Sequence, residues 1–116
     1  MKKFVNNVEE ILTESLSGFQ KAHPEIIKVH FAPDFICRVK KPAGDKVSLI
    51  SGGGSGHEPL HGGFVGHGML DAACPGQVFS APTPDQMEAA ANEVHNGKVI
   101  FFIVKNYSWD IMNFDM

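Results

Sequence analysis

Ser51-Gly52-Gly53-Gly54-Ser55-Gly56-His57-Glu58-Pro59-Leu60-His61 gathers the parts of three different chemistries in one short stretch. Backbone N–H groups of consecutive glycines can surround an anion, two imidazoles four residues apart can ligate zinc, and glycine backbone lets a small polar substrate approach closely. The phosphate reading is weak. A P-loop requires Gly-Lys-Ser/Thr after four spacers, and no lysine stands here. The dinucleotide fingerprint lacks its third glycine at the required spacing and an acidic residue ending the next strand. The zinc reading is sharper, because His57-Glu58-Pro59-Leu60-His61 satisfies H-E-x-x-H and His67 stands where a longer zinc-protease signature places a third ligand. Against it, both histidines must share one face of a continuous helix, whereas Pro59 is at ease only in a first turn, and Phe64 replaces the glycine of the longer signature. The third reading takes the glycines as a tight strand-to-helix turn. In it His61 and His67, like His23, His30 and His95, are surface or satisfied core residues, while His57 stands at the mouth of a crevice.

The elements that must position this stretch alternate between helix and strand. Val8, Ile11, Leu12, Leu16 and Phe19 follow helical spacing behind an Asn7/Glu10 capping box, which predicts a helix to about Ser17 with Gly18 near its end. Residues 26–31 and 35–39 read as strands, then residues 41–45 as a turn, and residues 47–50 as a strand feeding directly into the glycines. Short strands are expected at residues 69–73 and 77–80. Thr83, Pro84, Asp85 and Gln86 make a strong helix start, with a stop at Asn96-Gly97. The apolar run 98–104 fits a central strand covered on both faces, so the expected fold is α/β, a mixed, largely parallel sheet flanked by helices. Ligands in such sheets sit beyond the carboxyl ends of the strands. That places residues 51–57 and 105–110 side by side as the expected site, although Asp110 also reads as a helix N-cap and Lys105 as a solvated charge.

Composition narrows the function classes. At 116 residues, 43% hydrophobic and 20% charged, the chain has one core and is too apolar to be disordered. A net charge of -3 offers no basic field for nucleic acid, and no apolar run spans a membrane, so a cytoplasmic protein with a small-molecule or protein partner is expected. Cys37 and Cys74 read as buried thiols rather than as a disulfide framework.

The glycine stretch through Pro59, the segment Pro75-Gly76-Gln77-Val78-Phe79-Ser80-Ala81-Pro82, and Lys105-Asn106-Tyr107-Ser108-Trp109-Asp110 with Met112-Asn113-Phe114 together resemble the N-terminal part of the dihydroxyacetone kinase K subunit. The likeness covers essentially the whole chain, including its opening residues. It implies that residues 1–116 are part of a larger K domain that binds dihydroxyacetone and holds no metal or cofactor itself. An L subunit or domain would then carry the nucleotide, ATP or ADP, with magnesium, which accounts for the missing Walker lysine. The resemblance further implies Asp110 as general base and His57 as the histidine that hydrogen-bonds the substrate. Gly54 and Ser55 would meet it through the loop backbone, and Lys105 would lie near the same pocket. It also implies a homodimer, and a covalent anchoring histidine later than Met116, without which the segment is not an active kinase. Trp109 departs from the glycine common before the aspartate, which keeps open a non-catalytic relative that senses the ketone.

Overall fold

Apolar alternation and turn chemistry build five strands and three helices in the computed structural model, which describes residues 1–116. They are α1 (Ile11–Ala22), β1 (Ile27–His30), β2 (Phe35–Arg38), β3 (Ser48–Ser55), β4 (Ala72–Val78), α2 (Pro84–Val94), β5 (Ile100–Ile103) and α3 (Ser108–Asp115). The sheet order is β1-β2-β4-β3-β5. It is mixed, as expected: β1/β2 and β2/β4 are antiparallel, while β3 is parallel to both β4 and β5. Both faces are covered. Leu12 and Leu16 of α1 pack on Ile27, Val29, Ile36 and Ala73, and on the other face Met87, Ala90 and Val94 of α2 pack on Phe35, Ile50, Ala72 and Cys74. Each of the Leu, Ile, Val, Phe and Met side chains among them contributes roughly 1.5–3 kcal/mol on burial.

Several expectations are corrected. α1 does not stop at Ser17 but continues through Gly18 to Ala22. A Cβ on Gly18 would meet nothing within 4 Å, so this glycine faces open space and costs only about 1 kcal/mol against alanine. The apolar stripe holds the next turn down. The Asn7/Glu10 capping box does not form either. Asn7 Oδ1 accepts from Glu9 N at 3.0 Å and caps a short 3-10 turn, Val8–Glu10, ahead of the helix.

β3 does not end at Ile50, and the glycines are not a strand-to-helix turn. The strand runs on through Gly52, Gly53 and Gly54 to Ser55, all buried. Glycine is needed there because main chain crowds the sheet. A Cβ on Gly52 would lie 2.7 Å from the Cys74 carbonyl oxygen, one on Gly54 2.8 Å from Ser80 N, and one on Gly76 2.0 Å from the Ser80 carbonyl oxygen. The segment after β4 folds back over these bare positions. Within the glycine stretch only Gly56, with φ +104°, has a conformation that glycine favours, and there the chain turns. No α-helix follows: turns lead to a 3-10 turn, Gly62–Phe64. The two strands expected at residues 69–73 and 77–80 are one, β4, which carries Pro75 and Gly76 in its interior.

β5 is not central among these strands. It lies at the edge of the sheet, bonded to β3 alone, with Phe101 56% exposed. An apolar run reads the same whether or not a strand lies on its far side.

The helix at Thr83 forms as predicted, with the capping box to Gln86 closed, although it ends at Val94, before Asn96-Gly97. Gln86 does more than cap. Its side-chain amide donates to the Asp34 carbonyl at 2.7 Å and the Pro75 carbonyl at 2.6 Å, while its Oε1 accepts from Thr83 N at 2.9 Å. Replacing Gln86 with alanine removes all of these partners. The full-length protein carrying it is expected to lose about 1–3 kcal/mol in denaturant unfolding.

Asp71, wholly buried just before β4, is a second polar anchor. Its carboxylate accepts from Arg38 Nη1 at 2.9 Å, from Lys46 Nζ, and from Leu49 N at 2.8 Å. It thereby clamps β2, the turn before β3 and β3 itself. Burial alone would raise its pKa, but these hydrogen bonds outweigh that and hold it below the usual aspartate range.

Candidate functional site

Ser51 of β3 pairs with Ile103 of β5, where β5 stops while β3 runs on to Ser55. The chain leaving β5 therefore passes over the glycines and lays Lys105 beside them. A Cβ on Gly53 would lie 3.3 Å from Lys105 Nζ and 3.2 Å from His61 Nε2, so the space above Gly53 is bounded by an ammonium and an imidazole. α3 then begins, with Asp110 in its first turn, 1% exposed and with its Oδ1 lacking any hydrogen-bond partner. Asp110 is not the N-cap of this helix; Tyr107 occupies that position.

His61 lies among these groups. Its Nδ1 is 3.2 Å from Ser51 Oγ, and its Nε2 is buried without a partner. Burial first, and then the charge of Lys105, hold its pKa below the ordinary histidine value, with Asp110 pulling upward and His57 pushing down. Two histidines, a lysine and an aspartate thus share one electrostatic neighbourhood. Beside it opens a cavity of about 420 Å³, lined by Gly53, Gly54, Ser55, Glu58 and His61 and by Leu16 of α1. In the sequence His61 stood out only as the second histidine of the H-E-x-x-H pattern. The signal was the four-residue step from His57 across Pro59, and it becomes legible only once β3 is known to continue, placing Ser51 and Gly53 on one face.

The other expected residues fall around this centre. His57 is exposed on the turn after β3, with its ring edge-to-face against Phe79 at 5.2 Å. Phe79 has φ +53°, rare for a bulky side chain, and its ring lies where a Cβ on Gly56 would be, 2.7 Å from Cε1. It braces His57, a role the sequence did not show. Gly54 turns its α-carbon toward Ser80, away from Lys105, so only its main chain is available to the hollow. Ser55 Oγ donates to the Gly76 carbonyl at 2.7 Å and ties β3 to β4.

The zinc reading is overturned by this geometry. Residues 57–61 are not helical, His61 Nδ1 is engaged by Ser51, and His57, His61 and His67 bring no set of ligand atoms together. The one grouping of three potential ligands is elsewhere, at His30, Cys37 and Glu93. There Glu93 already pairs with Lys41 at 3.6 Å, and Lys28 and Lys41 add positive charge. The cysteines are poor nucleophiles, since burial pushes Cys37 up to about 11 and Cys74 to about 12.

Residues 17–116 match the family described as the Dak1 domain. The chain belongs to that family. The Dak1 segment is 48% identical over 115 residues to the PEP-dependent dihydroxyacetone kinase, dihydroxyacetone-binding subunit DhaK, of Escherichia coli strain K12, covering 99% of this chain and 32% of that protein. Its fold matches the crystal structure of the dihydroxyacetone kinase from C. freundii in complex with AMP-PNP and Mg2+, with a TM-score of 0.90 and 35% identity over 98% of this chain and 22% of that one. It also matches a dihydroxyacetone kinase operon co-activator, with a TM-score of 0.78 and 36% identity over 95% of this chain and 32% of that one. The Dak1 segment spans about a third of the length of the curated relatives it matches. None of its helices is long and apolar enough to cross a membrane.

Proposed function

We propose that residues 1–116 are the N-terminal part of a longer K domain that binds dihydroxyacetone and presents one of its hydroxyls for phosphorylation. The observation that carries this reading is a pair of buried polar atoms without partners: His61 Nε2, beside Lys105 over the bare Gly53, and Asp110 Oδ1, whose carboxylate acts electrostatically on that imidazole. Buried acceptors without partners are costly, and a small polyhydroxy ligand satisfies them.

In this reading the Asp110 carboxylate takes the proton of the substrate hydroxyl while its oxygen bonds to the transferred phosphorus and the bond to the nucleotide breaks, giving dihydroxyacetone phosphate. Lys105 offsets negative charge near that oxygen, and His57, braced by Phe79, hydrogen-bonds the ketone substrate. The main chain of Gly54 and Ser55 closes one wall. The nucleotide, ATP, or ADP recharged by a phosphotransferase relay, is held with magnesium on an L partner. A cytoplasmic homodimer completes the proposal, supported by the family resemblance.

The full-length protein mixed with its L partner and phosphoryl donor is expected to convert dihydroxyacetone to its phosphate, followed by coupled assay. Absence of dihydroxyacetone binding in calorimetric titration overturns the reading. A second reading is favoured by Trp109, which is 58% exposed and, with Phe79, Ser80 and Tyr107, lines a separate hollow of about 320 Å³. It is a ketone sensor, in line with the similarity to a co-activator, and is distinguished by binding without turnover.

A further inference from the structure

The hydrogen bonds around Ser51 determine which nitrogen of His61 carries its proton. Ser51 Oγ has one hydrogen, and the Ile103 carbonyl, 2.6 Å away, can only accept it. With that hydrogen used, the 3.2 Å contact between Ser51 Oγ and His61 Nδ1 requires Nδ1 to be the donor. A neutral ring with its proton on Nδ1 leaves Nε2 as a bare lone pair, and Nε2 is the atom that is buried, unpartnered and turned to the space over Gly53. The hydroxyl of β3 thus reads the end of β5 and sets the ring.

From this geometry we infer that His61 is a substrate-binding residue whose Nε2 accepts a hydrogen bond from a hydroxyl of a small polyhydroxy ketone lying over Gly53. The same hydroxyl oxygen lies within reach of the Lys105 ammonium, which donates to it. Lone pair and ammonium face one small space, so the pair selects a group that donates and accepts at once. A carbonyl or carboxylate oxygen satisfies Lys105 but is repelled by Nε2. Gly53 is required because a Cβ there fills that space, 3.2 Å from Nε2 and 3.3 Å from Nζ. Burial and Lys105 both disfavour a second proton on the ring, which keeps the lone pair available at neutral pH. The assignment rests on the proposed dihydroxyacetone-binding reading.

The test uses the full-length protein labelled with ¹⁵N-histidine. Before any ligand is added, the His61 ring is expected to show a protonated Nδ1 and a bare Nε2. On titration with dihydroxyacetone the Nε2 resonance is expected to move while Nδ1 holds. His61→Leu is expected to weaken dihydroxyacetone binding by about tenfold, the scale of one net hydrogen bond, and His61→Gln, which keeps a side-chain acceptor, to recover part of it. A proton on Nε2 in the free protein overturns the inference, as does an Nε2 signal indifferent to saturating ligand or unchanged affinity in a folded His61→Leu. Failure of the unaltered protein to bind dihydroxyacetone sinks the functional reading instead, and with it the role of His61, whereas the tautomer is read independently of any ligand.

Discussion

Full-length protein carrying Asp110→Asn is expected to retain dihydroxyacetone binding while its turnover with the L partner falls by about 10²–10⁴-fold, the usual contribution of a positioned general base. Asparagine keeps the volume of the side chain and can still accept a hydrogen bond, but its amide takes no proton from a hydroxyl. Oδ1 of Asp110 has no protein partner, so the substitution strands no donor at that atom. The fold around Asn113, whose amide donates to the Pro82 carbonyl at 2.9 Å, stays in place and holds α3 against the rest of the chain. Steady-state kinetics separate the outcomes. A fall in kcat with little change in KM supports the base, equal loss of binding points to a merely structural carboxylate, and wild-type turnover removes Asp110 from the chemistry.

The second large effect is on stability. Asp71→Ala in the full-length protein is expected to cost about 3–5 kcal/mol, because it removes one member of a buried ion cluster and leaves the other charges behind. Arg38 is the side chain that suffers, being 9% exposed, while Lys46, at 32%, swings toward water. Leu49 N loses its acceptor too. Denaturant titration of wild type and variant at neutral pH measures the difference. The pH dependence has a definite sign. The folded-state pKa of Asp71 lies below its reference value of 3.8, so its contribution is fully present above that value and is lost as pH falls through the lower folded pKa. The gap between wild type and Asp71→Ala is expected to narrow on acidification over that window.

What the sequence revealed, and what it hid, follows from how local each determinant is. α2 was legible because its start signal lies in adjacent residues, Thr83 to Gln86. The pairing of residues 51–57 with 105–110 was also legible, since strand ends in an α/β sheet converge. The course of β3 was not: glycine is as common in turns as in crowded strands, and only Ser80, beyond β4, shows why Gly54 must be bare. The unread course of β3 also hid His61, whose partner Ser51 was read as lying in a loop. Asp71 looked like one residue of a short strand, because Arg38 and Lys46 reach it across 33 and 25 positions. Gly18 misled in the opposite direction, since a helix breaker on an open face breaks nothing.

The outer flank of β5 decides how this unit can be moved between proteins. Within residues 1–116 its main-chain donors and acceptors on the side away from β3 have no partner strand, and Phe101, Phe102 and Ile103 stand partly bare. A chimera or excision joined just beyond this strand would carry a raw seam, ready to stitch onto any extended peptide that came near.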